Sequence, residues 1–233
     1  MIYCFSGTGN SQWVADKLKE QVDADDVFGL VFPVYAWGIP KVVEEYIQQA
    51  QEIVKANYVF AVMTCGDDIG YADRILQKLL KDKLDAVFSV QMPNTYVCLP
   101  GFDVDSDSAA EAKVQKTQAQ LPHIIDSIRE RKRVTEVIRG NSAWLKTYIL
   151  RPLFNRFLVT DKYFRATTKA CSRCQHCVAG CPLKNIRTNE HGRIAWGETS
   201  CTGCLRCYHQ CPNRAIEFGW FTKGKGQKKR ITV

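Results

Sequence analysis

The sequence predicts two units of different construction in one chain. The first half reads as a doubly wound parallel α/β sheet, and the C-terminal region as a small cysteine-rich α+β unit. Three observations predict this. Continuous apolar runs alternate with helical patterns up to about residue 128. Eight of the 11 cysteines fall between Cys171 and Cys211. Charge divides the chain at the same place: residues 1–128 carry 10 basic against 18 acidic side chains, whereas residues 129–170 and 171–233 each carry 11 against 3. Such asymmetry marks separate domains or a surface for a charged partner.

Bulk properties narrow the class. With 45% hydrophobic and 24% charged residues, wholesale disorder is excluded. No run reaches the roughly 18 to 20 apolar residues of a spanning helix. The opening MIYCFSGTGN has no basic segment ahead of its apolar run, so no signal peptide is expected and the expected location is the cytoplasm. Clustered cysteines in a reducing compartment read as metal or iron–sulfur ligands rather than disulfides.

The elements follow in order. Ile2 to Ser6 is a short strand, followed by Gly7-Thr8-Gly9-Asn10-Ser11 and a helix with Val14, Leu18 and Val22 on one face. Val27 to Tyr35 is strand-like, and Pro40 suits the first turn of a helix to about Lys55. Tyr58 to Met63 reads as a buried strand, Ile69 to Leu80 as a helix, Leu84 to Val90 as a strand, and the stretch up to Arg129 as a helix. Apolar strands between helices imply a parallel sheet covered on both faces.

The first loop carries chemistry. Gly7 and Gly9 let backbone approach a ligand, the next helix aims its free N–H groups there, and Ser6, Thr8, Asn10 and Ser11 add short donors. The result is a phosphate cradle without a cation, or else a tight turn that uses glycine for geometry alone. Gln12 stands where a dinucleotide fingerprint needs its third glycine, and no Walker pattern occurs.

Ser6 to Ser11 resembles the phosphate loop of flavodoxins, and two further segments match that family in order. Pro33-Val34-Tyr35-Ala36-Trp37-Gly38 stands at the family's aromatic loop, and Thr64-Cys65-Gly66-Asp67 at its third flavin loop. The resemblance implies bound FMN, with Tyr35 and Trp37 against the ring and Asn94 and Tyr96 closing the site from the last strand. It also implies a missing edge strand: only about Asp23 to Asp26 separates the first helix from the next strand, where flavodoxins insert a strand and helix. The expected sheet then has roughly four strands, with the basic segment after residue 128 available to cover the bare edge of the first.

Cys171-x-x-Cys174-x-x-Cys177-x-x-x-Cys181-Pro182 recurs thirty residues later as Cys201-x-x-Cys204-x-x-Cys207-x-x-x-Cys211-Pro212. This is the spacing of bacterial two-cluster ferredoxins. It assigns Cys171, Cys174, Cys177 and Cys211 to one [4Fe-4S] cluster and Cys201, Cys204, Cys207 and Cys181 to the other. Zinc, which favours paired knuckles with a longer spacer, fits poorly. His176 and His209 are expected to be exposed rather than coordinating. Cys4, Cys65 and Cys98 lie outside the motifs and read as small buried residues. Gly203 precedes the second cysteine of its motif, but Arg173 takes that place in the first; a cation there favours the reduced cluster, so the first cluster is expected at the higher potential.

Residues 129–167 read as a basic helical connector, with Trp144, Leu145, Tyr148, Ile149, Leu153, Phe154, Phe157 and Leu158 at helical spacing and a break at Pro152. The expectation is packing on both domains; the alternative is an interfacial helix on anionic lipid. Residues 168–221 form the cluster domain. The tail, residues 222–233, including Lys228, Lys229 and Arg230, reads as a solvated end or a handle for an acidic partner. Nothing in the chain marks nucleic-acid binding.

The whole chain resembles the flavodoxin–ferredoxin fusion proteins of anaerobic bacteria and archaea, through both cysteine motifs, the flavin loops and the connector Leu153 to Phe157 and Asp161 to Phe164. The resemblance implies electron transfer between two [4Fe-4S] clusters and FMN, exchanged with a redox partner protein. A ferredoxin-dependent reductase of a quinone or nitro compound ranks second, and a redox-sensing binding protein third.

Overall fold

The structure, a computed structural model, describes residues 1–22 and 26–228. Its first unit is a parallel sheet built from β1 (Ile2–Cys4), β2 (Val27–Pro33), β3 (Tyr58–Cys65), β4 (Ala86–Gln91) and β5 (Val134–Glu136), in that spatial order. One hydrogen-bonded row crosses it whole: Tyr3 beside Leu30, Leu30 beside Ala61, Ala61 beside Val87, and Val87 beside Thr135. The helices between the strands are α1 (Asn10–Lys19), α2 (Lys41–Gln49), α3 (Gln51–Lys55), α4 (Ala72–Leu80) and α5 (Asp107–Arg129).

Strand alternation sends side chains to opposite faces, and each face has its own core. Leu30, Ala61 and Val87 pack with Val43 and Ile47 of α2 and Leu76 and Leu80 of α4. Val31, Val62 and Phe88 pack with Val14 and Leu18 of α1 and Leu121 and Ile125 of α5. The sheet is thus covered on both sides, as its apolar strands require.

The fifth strand departs from the expected count. The segment between α1 and β2 adds no strand among the described residues, as expected, but the basic segment contributes β5. It pairs with β4, at the edge opposite β1, so it does not cover the bare edge of the first strand. The sheet therefore continues past residue 128. The helix expected over 40–55 breaks at Ala50, whose extended backbone separates α2 from α3.

A single helical run then crosses between the units: α6 (Ala143–Leu145), a π-helical stretch over Lys146–Leu150, and α7 (Arg151–Phe157). Pro152 does not break it: it stands at the second residue of α7, immediately after the π stretch, where the turn type and hence the hydrogen-bond register changes.

The second unit pairs β6 (Phe164–Ala166) antiparallel with β9 (Ile216–Phe218), and β7 (Ile186–Thr188) with β8 (Ile194–Trp196). Two short helices, α8 (His176–Gly180) and α9 (Arg206–His209), pack against each other. Its core of Phe164, Leu205, Tyr208, Ile216 and Phe218 also takes in Val97 and Cys98 from the loop after β4. The two units share buried apolar contact.

Candidate functional site

All three loops singled out in the sequence leave the carboxyl ends of β1, β2 and β3, where parallel sheets bind ligands. They stay zipped past the strands: the Val34 N–H donates to the Thr64 carbonyl and the Met92 N–H to the Cys65 carbonyl, both at 2.8 Å. In the first loop, Gly9 has φ 108°, a backbone that side-chain-bearing residues rarely adopt, and it caps α1. The short polar side chains mostly build the loop. Ser6 Oγ accepts from the Gly9 N–H at 3.2 Å, Asn10 donates to the Pro93 carbonyl at 2.8 Å, and Ser11 Oγ meets Thr64 Oγ1 at 2.7 Å. Thr8 Oγ1 lies 3.4 Å from Thr95 Oγ1.

The aromatic loop is a two-residue hairpin. Tyr35 and Gly38 exchange both backbone hydrogen bonds, at 3.0 and 3.1 Å, and Ala36 and Trp37 between them have φ 46° and 56°. Two successive left-handed non-glycine residues hold local strain, a feature that concentrates at functional sites. The connector holds the turn in place: Thr147 Oγ1 donates to the Trp37 carbonyl at 3.3 Å, and Lys146 Nζ stands 5.7 Å from the Trp37 ring centre while paired with Asp68 at 2.5 Å.

These loops enclose two adjoining cavities. The smaller, about 100 Å³, is lined by Ser6, Gly7, Thr8, Asn10, Ser11, Thr64 and Thr95 among others. The larger, about 380 Å³, is walled by Ala36, Trp37, Phe102, Phe154, Phe164 and Leu205, with Asp67 and Asp68 at its polar side. Pro33 lines the first, Ala36 and Trp37 the second, and Val34, Tyr35, Cys65, Gly66, Asn94 and Tyr96 both. Gly9 and Gly38 line neither. Gly9 caps the helix, and Gly38 makes room for Arg151, whose Nε would sit 1.8 Å from an added Cβ. A polar pocket at a helix N-terminus opening into an apolar, aromatic-walled chamber fits a phosphate joined to a flat ring, and the larger volume lies in the usual ligand range. Asn94 is fixed by its own bonds, its N–H to Asp105 at 2.8 Å and its amide to the Asp103 carbonyl at 2.9 Å.

The C-terminal unit forms the far wall. Gly203 and Leu205 line both cavities, Cys204 the smaller and Thr202 the larger. A Cβ on Gly7 would lie 2.6 Å from the Tyr35 hydroxyl and 2.8 Å from the Cys204 carbonyl, so glycine at position 7 is required by the cysteine loop as much as by any ligand. Burial pushes the Tyr35 phenol well above its ordinary value, and negative charge on Cys204 and Cys201 adds to the effect.

The two cysteine motifs repeat at the level of backbone. Arg173 and Gly203 have φ 57° and 68°, Gln175 and Leu205 66° and 57°, and Lys184 and Arg214 53° and 49°. The N–H of Asn185 points at Cys181 Sγ from 3.3 Å, and that of Ala215 at Cys211 Sγ from 3.2 Å. All eight thiols are free. Cys171, Cys174, Cys177 and Cys211 line one cavity. Burial pushes the Cys177 thiol up to about 11, with Cys211 and Cys171 contributing. In the other group, burial pushes Cys201 up to about 12 and Cys204 to about 11, with Cys181 contributing to each. Cys211 thus acts on Cys177 together with Cys171, and Cys181 acts on Cys201 and Cys204, as the sequence spacing assigns, while Cys207 is raised by burial, by Cys204 and Cys201, and also by Cys177 across the two groups. The buried, mutually repelling thiols Cys177, Cys201 and Cys204 need a cationic core to ionise, whereas the exposed Cys174 is held below its ordinary value by hydrogen bonding to His176. Among the described residues no three His, Cys, Asp or Glu side chains gather tightly enough for a single metal ion; the first group instead rings a cavity.

Two expectations are corrected here. His176 is exposed as expected, but His209 is buried, donating Nε2–H to the Thr95 carbonyl at 2.7 Å and accepting the Lys228 N–H at 3.2 Å. Burial lowers its pKa to about 4, so it is neutral at neutral pH. The tail is not a solvated end over its described residues. Lys225 Nζ donates to the carbonyls of Val97 at 2.8 Å and Leu99 at 2.5 Å, and Lys228 pairs with Asp107 at 2.6 Å. Lys229 and Arg230 lie outside the described residues. Sequence reasoning missed this strap, and also the cavity walls Phe102, Phe154 and Leu205; only Phe154 carried a signal, as part of the apolar run in the connector.

Comparison with known proteins bears on the C-terminal unit. The model of a family described as a 4Fe-4S dicluster domain matches residues 164–212. A curated relative, the pyruvate synthase subunit PorD of Methanocaldococcus jannaschii, is 37% identical over 46 residues, covering 20% of this chain and 54% of that protein. The match thus spans about half the length of that relative. The C-terminal unit is a dicluster ferredoxin domain whose eight cysteines carry two [4Fe-4S] clusters, and the chain transfers electrons through it.

Proposed function

We propose that the α/β unit is a flavodoxin-like FMN domain and that the chain is a flavo-iron–sulfur electron carrier, linking an external redox partner to the flavin through both clusters. One observation carries this reading: the cavity formed by all three candidate flavin loops is closed by Gly203, Cys204 and Leu205 of the second cysteine motif. Bound FMN would supply exchange between one-electron and two-electron transfer, which clusters alone do not.

The protein's own residues have distinct tasks. The N–H groups at the start of α1, with Thr8, receive the phosphate, while Tyr35, Trp37 and Tyr96 wall the ring. Cys201, Cys204, Cys207 and Cys181 hold the inner cluster against that cavity. Cys171, Cys174, Cys177 and Cys211 hold the outer one, where Cys174 and its neighbours Ser172, Arg173 and Gln175 are exposed. The groups stand in series between surface and cavity. Lys169, Arg173, Arg193 and Arg214 are exposed around the outer motif, which suits an acidic partner. From the relative's name we carry over only that a protein partner exchanges electrons here.

The test is anaerobic purification with counts of iron, sulfide and flavin, followed by redox titration. The expected result is about eight iron and eight sulfide per chain, one FMN, and flavin reduction that requires both clusters. Cluster-replete protein that neither contains FMN nor binds it when supplied would overturn the flavin assignment.

A further inference from the structure

The helical run over residues 143–157 is amphipathic in reverse. Its inward stripe begins small and polar, with Ala143 and Thr147 buried and Arg151 reaching the Ile39 carbonyl at 3.0 Å and Glu44 at 3.1 Å, and ends on Phe154, which walls the larger cavity. Its outward stripe is Leu145, Ile149, Leu153 and Phe157, exposed by 45%, 43%, 52% and 58%. Trp144 and Tyr148 lie alongside, ring centres 6.1 Å apart, at 57% and 37% exposure. In a regular helix, steps of four drift around the axis by about 40° each. The π turn over Lys146–Leu150 opposes that drift and keeps the stripe on one side. The expectation that these side chains pack on the two domains therefore fails for most of them.

We infer that this face docks the protein on an anionic lipid bilayer, with the helix lying in the plane of the interface. Charge selects the occupant. Residues 137–160 contain no Asp or Glu; of their cations, Arg139, Lys146 and Arg151 pair with Asp73, Asp68 and Glu44 of the α/β unit, which leaves Arg156 to face outward. At the rim, Arg156 stands over Phe157 at 5.6 Å, and the exposed Arg74 stands 3.9 Å over Tyr71, which packs on Tyr148. Leu, Ile and Phe bordered by Trp, Tyr and cations are the composition of an interfacial helix. No helix among the described residues is long and apolar enough to cross a membrane, so the contact is peripheral. The inference does not depend on FMN.

Cluster-loaded full-length protein should float with phosphatidylglycerol vesicles and far less with neutral phosphatidylcholine vesicles, with Trp144 fluorescence quenched by brominated acyl chains. Ile149→Ser, Leu153→Ser and Phe157→Ser together should lower anionic-vesicle affinity by on the order of a hundredfold. Arg156→Gln should lower it about fivefold, one cation's share at such a surface. The substituted side chains are exposed, and the visible cluster absorbance confirms that the variants fold. Flotation absent from both vesicles, unchanged in the triple variant, or replaced by a concentration-dependent dimer that the same substitutions abolish would overturn the inference.

Discussion

The two cysteine motifs share one backbone and occupy opposite surroundings. Their left-handed positions coincide pair by pair, and each directs an N–H at its fourth thiol. Yet the first loop is exposed over residues 172–176, whereas the second is pressed between the phosphate loop and the aromatic turn. Ligand geometry is thus a local property of the spacing, while the environment that tunes each cluster comes from residues far away in the chain.

Breaking one ligand in each motif gives the largest expected effect. Cys204→Ser and Cys174→Ser should each reduce iron from about eight to about four per chain, but only Cys204→Ser should also weaken FMN binding, read by quenching of flavin fluorescence. Equal loss of flavin in both variants would erase the distinction between inner and outer loops. Next in size, Gly7→Ala should destabilise the protein by about 1–3 kcal/mol through overpacking against Tyr35 and Cys204. It should also lower flavin affinity; thermal unfolding with and without FMN separates the two effects.

Exchanging the unlike pair sharpens the comparison. Arg173→Gly should relieve a left-handed residue worth about 1–2 kcal/mol, partly offset by the roughly 0.5–1 kcal/mol entropy of glycine. The net gain in stability is small, while the outer cluster's potential should fall, seen in an EPR-monitored redox titration. An unchanged or raised potential would remove Arg173 from the account. The smallest effect concerns the ion pairs at the connector, Arg139 with Asp73, Lys146 with Asp68 and Arg151 with Glu44. High salt should slow flavin–cluster transfer in stopped-flow traces by no more than about a few-fold, because these pairs are partly shielded from screening. Equal rates at low and high salt would show that the pairs do not seat the domains.

Legibility followed the range of the interactions. The cysteine ladder could be read because all its information lies within short loops, and β2, β3 and β4 because buried parallel strands are continuous apolar runs. Strand β5 could not be read: Val134–Glu136 is three residues long and largely exposed, and only its pairing with β4 makes it a strand. The strap was hidden for the same reason, since Lys225 is recognised by carbonyls of Val97 and Leu99 that no sequence pattern advertises. Periodicity placed Leu145, Ile149, Leu153 and Phe157 on one stripe but did not say which way the stripe faces. Gly7 was read as serving a ligand, whereas its nearest crowding neighbours are Tyr35 and Cys204.

The seam between Gly7 and Cys204 has a consequence for biogenesis. One side of the chamber, Gly7, leaves the ribosome 197 residues ahead of the other, Cys204, and the Lys225 clasp emerges later still. Throughout translation the α/β half is an open-mouthed cup. Any ligand it takes is sealed in only when the cluster-bearing lid has been synthesised and folded down.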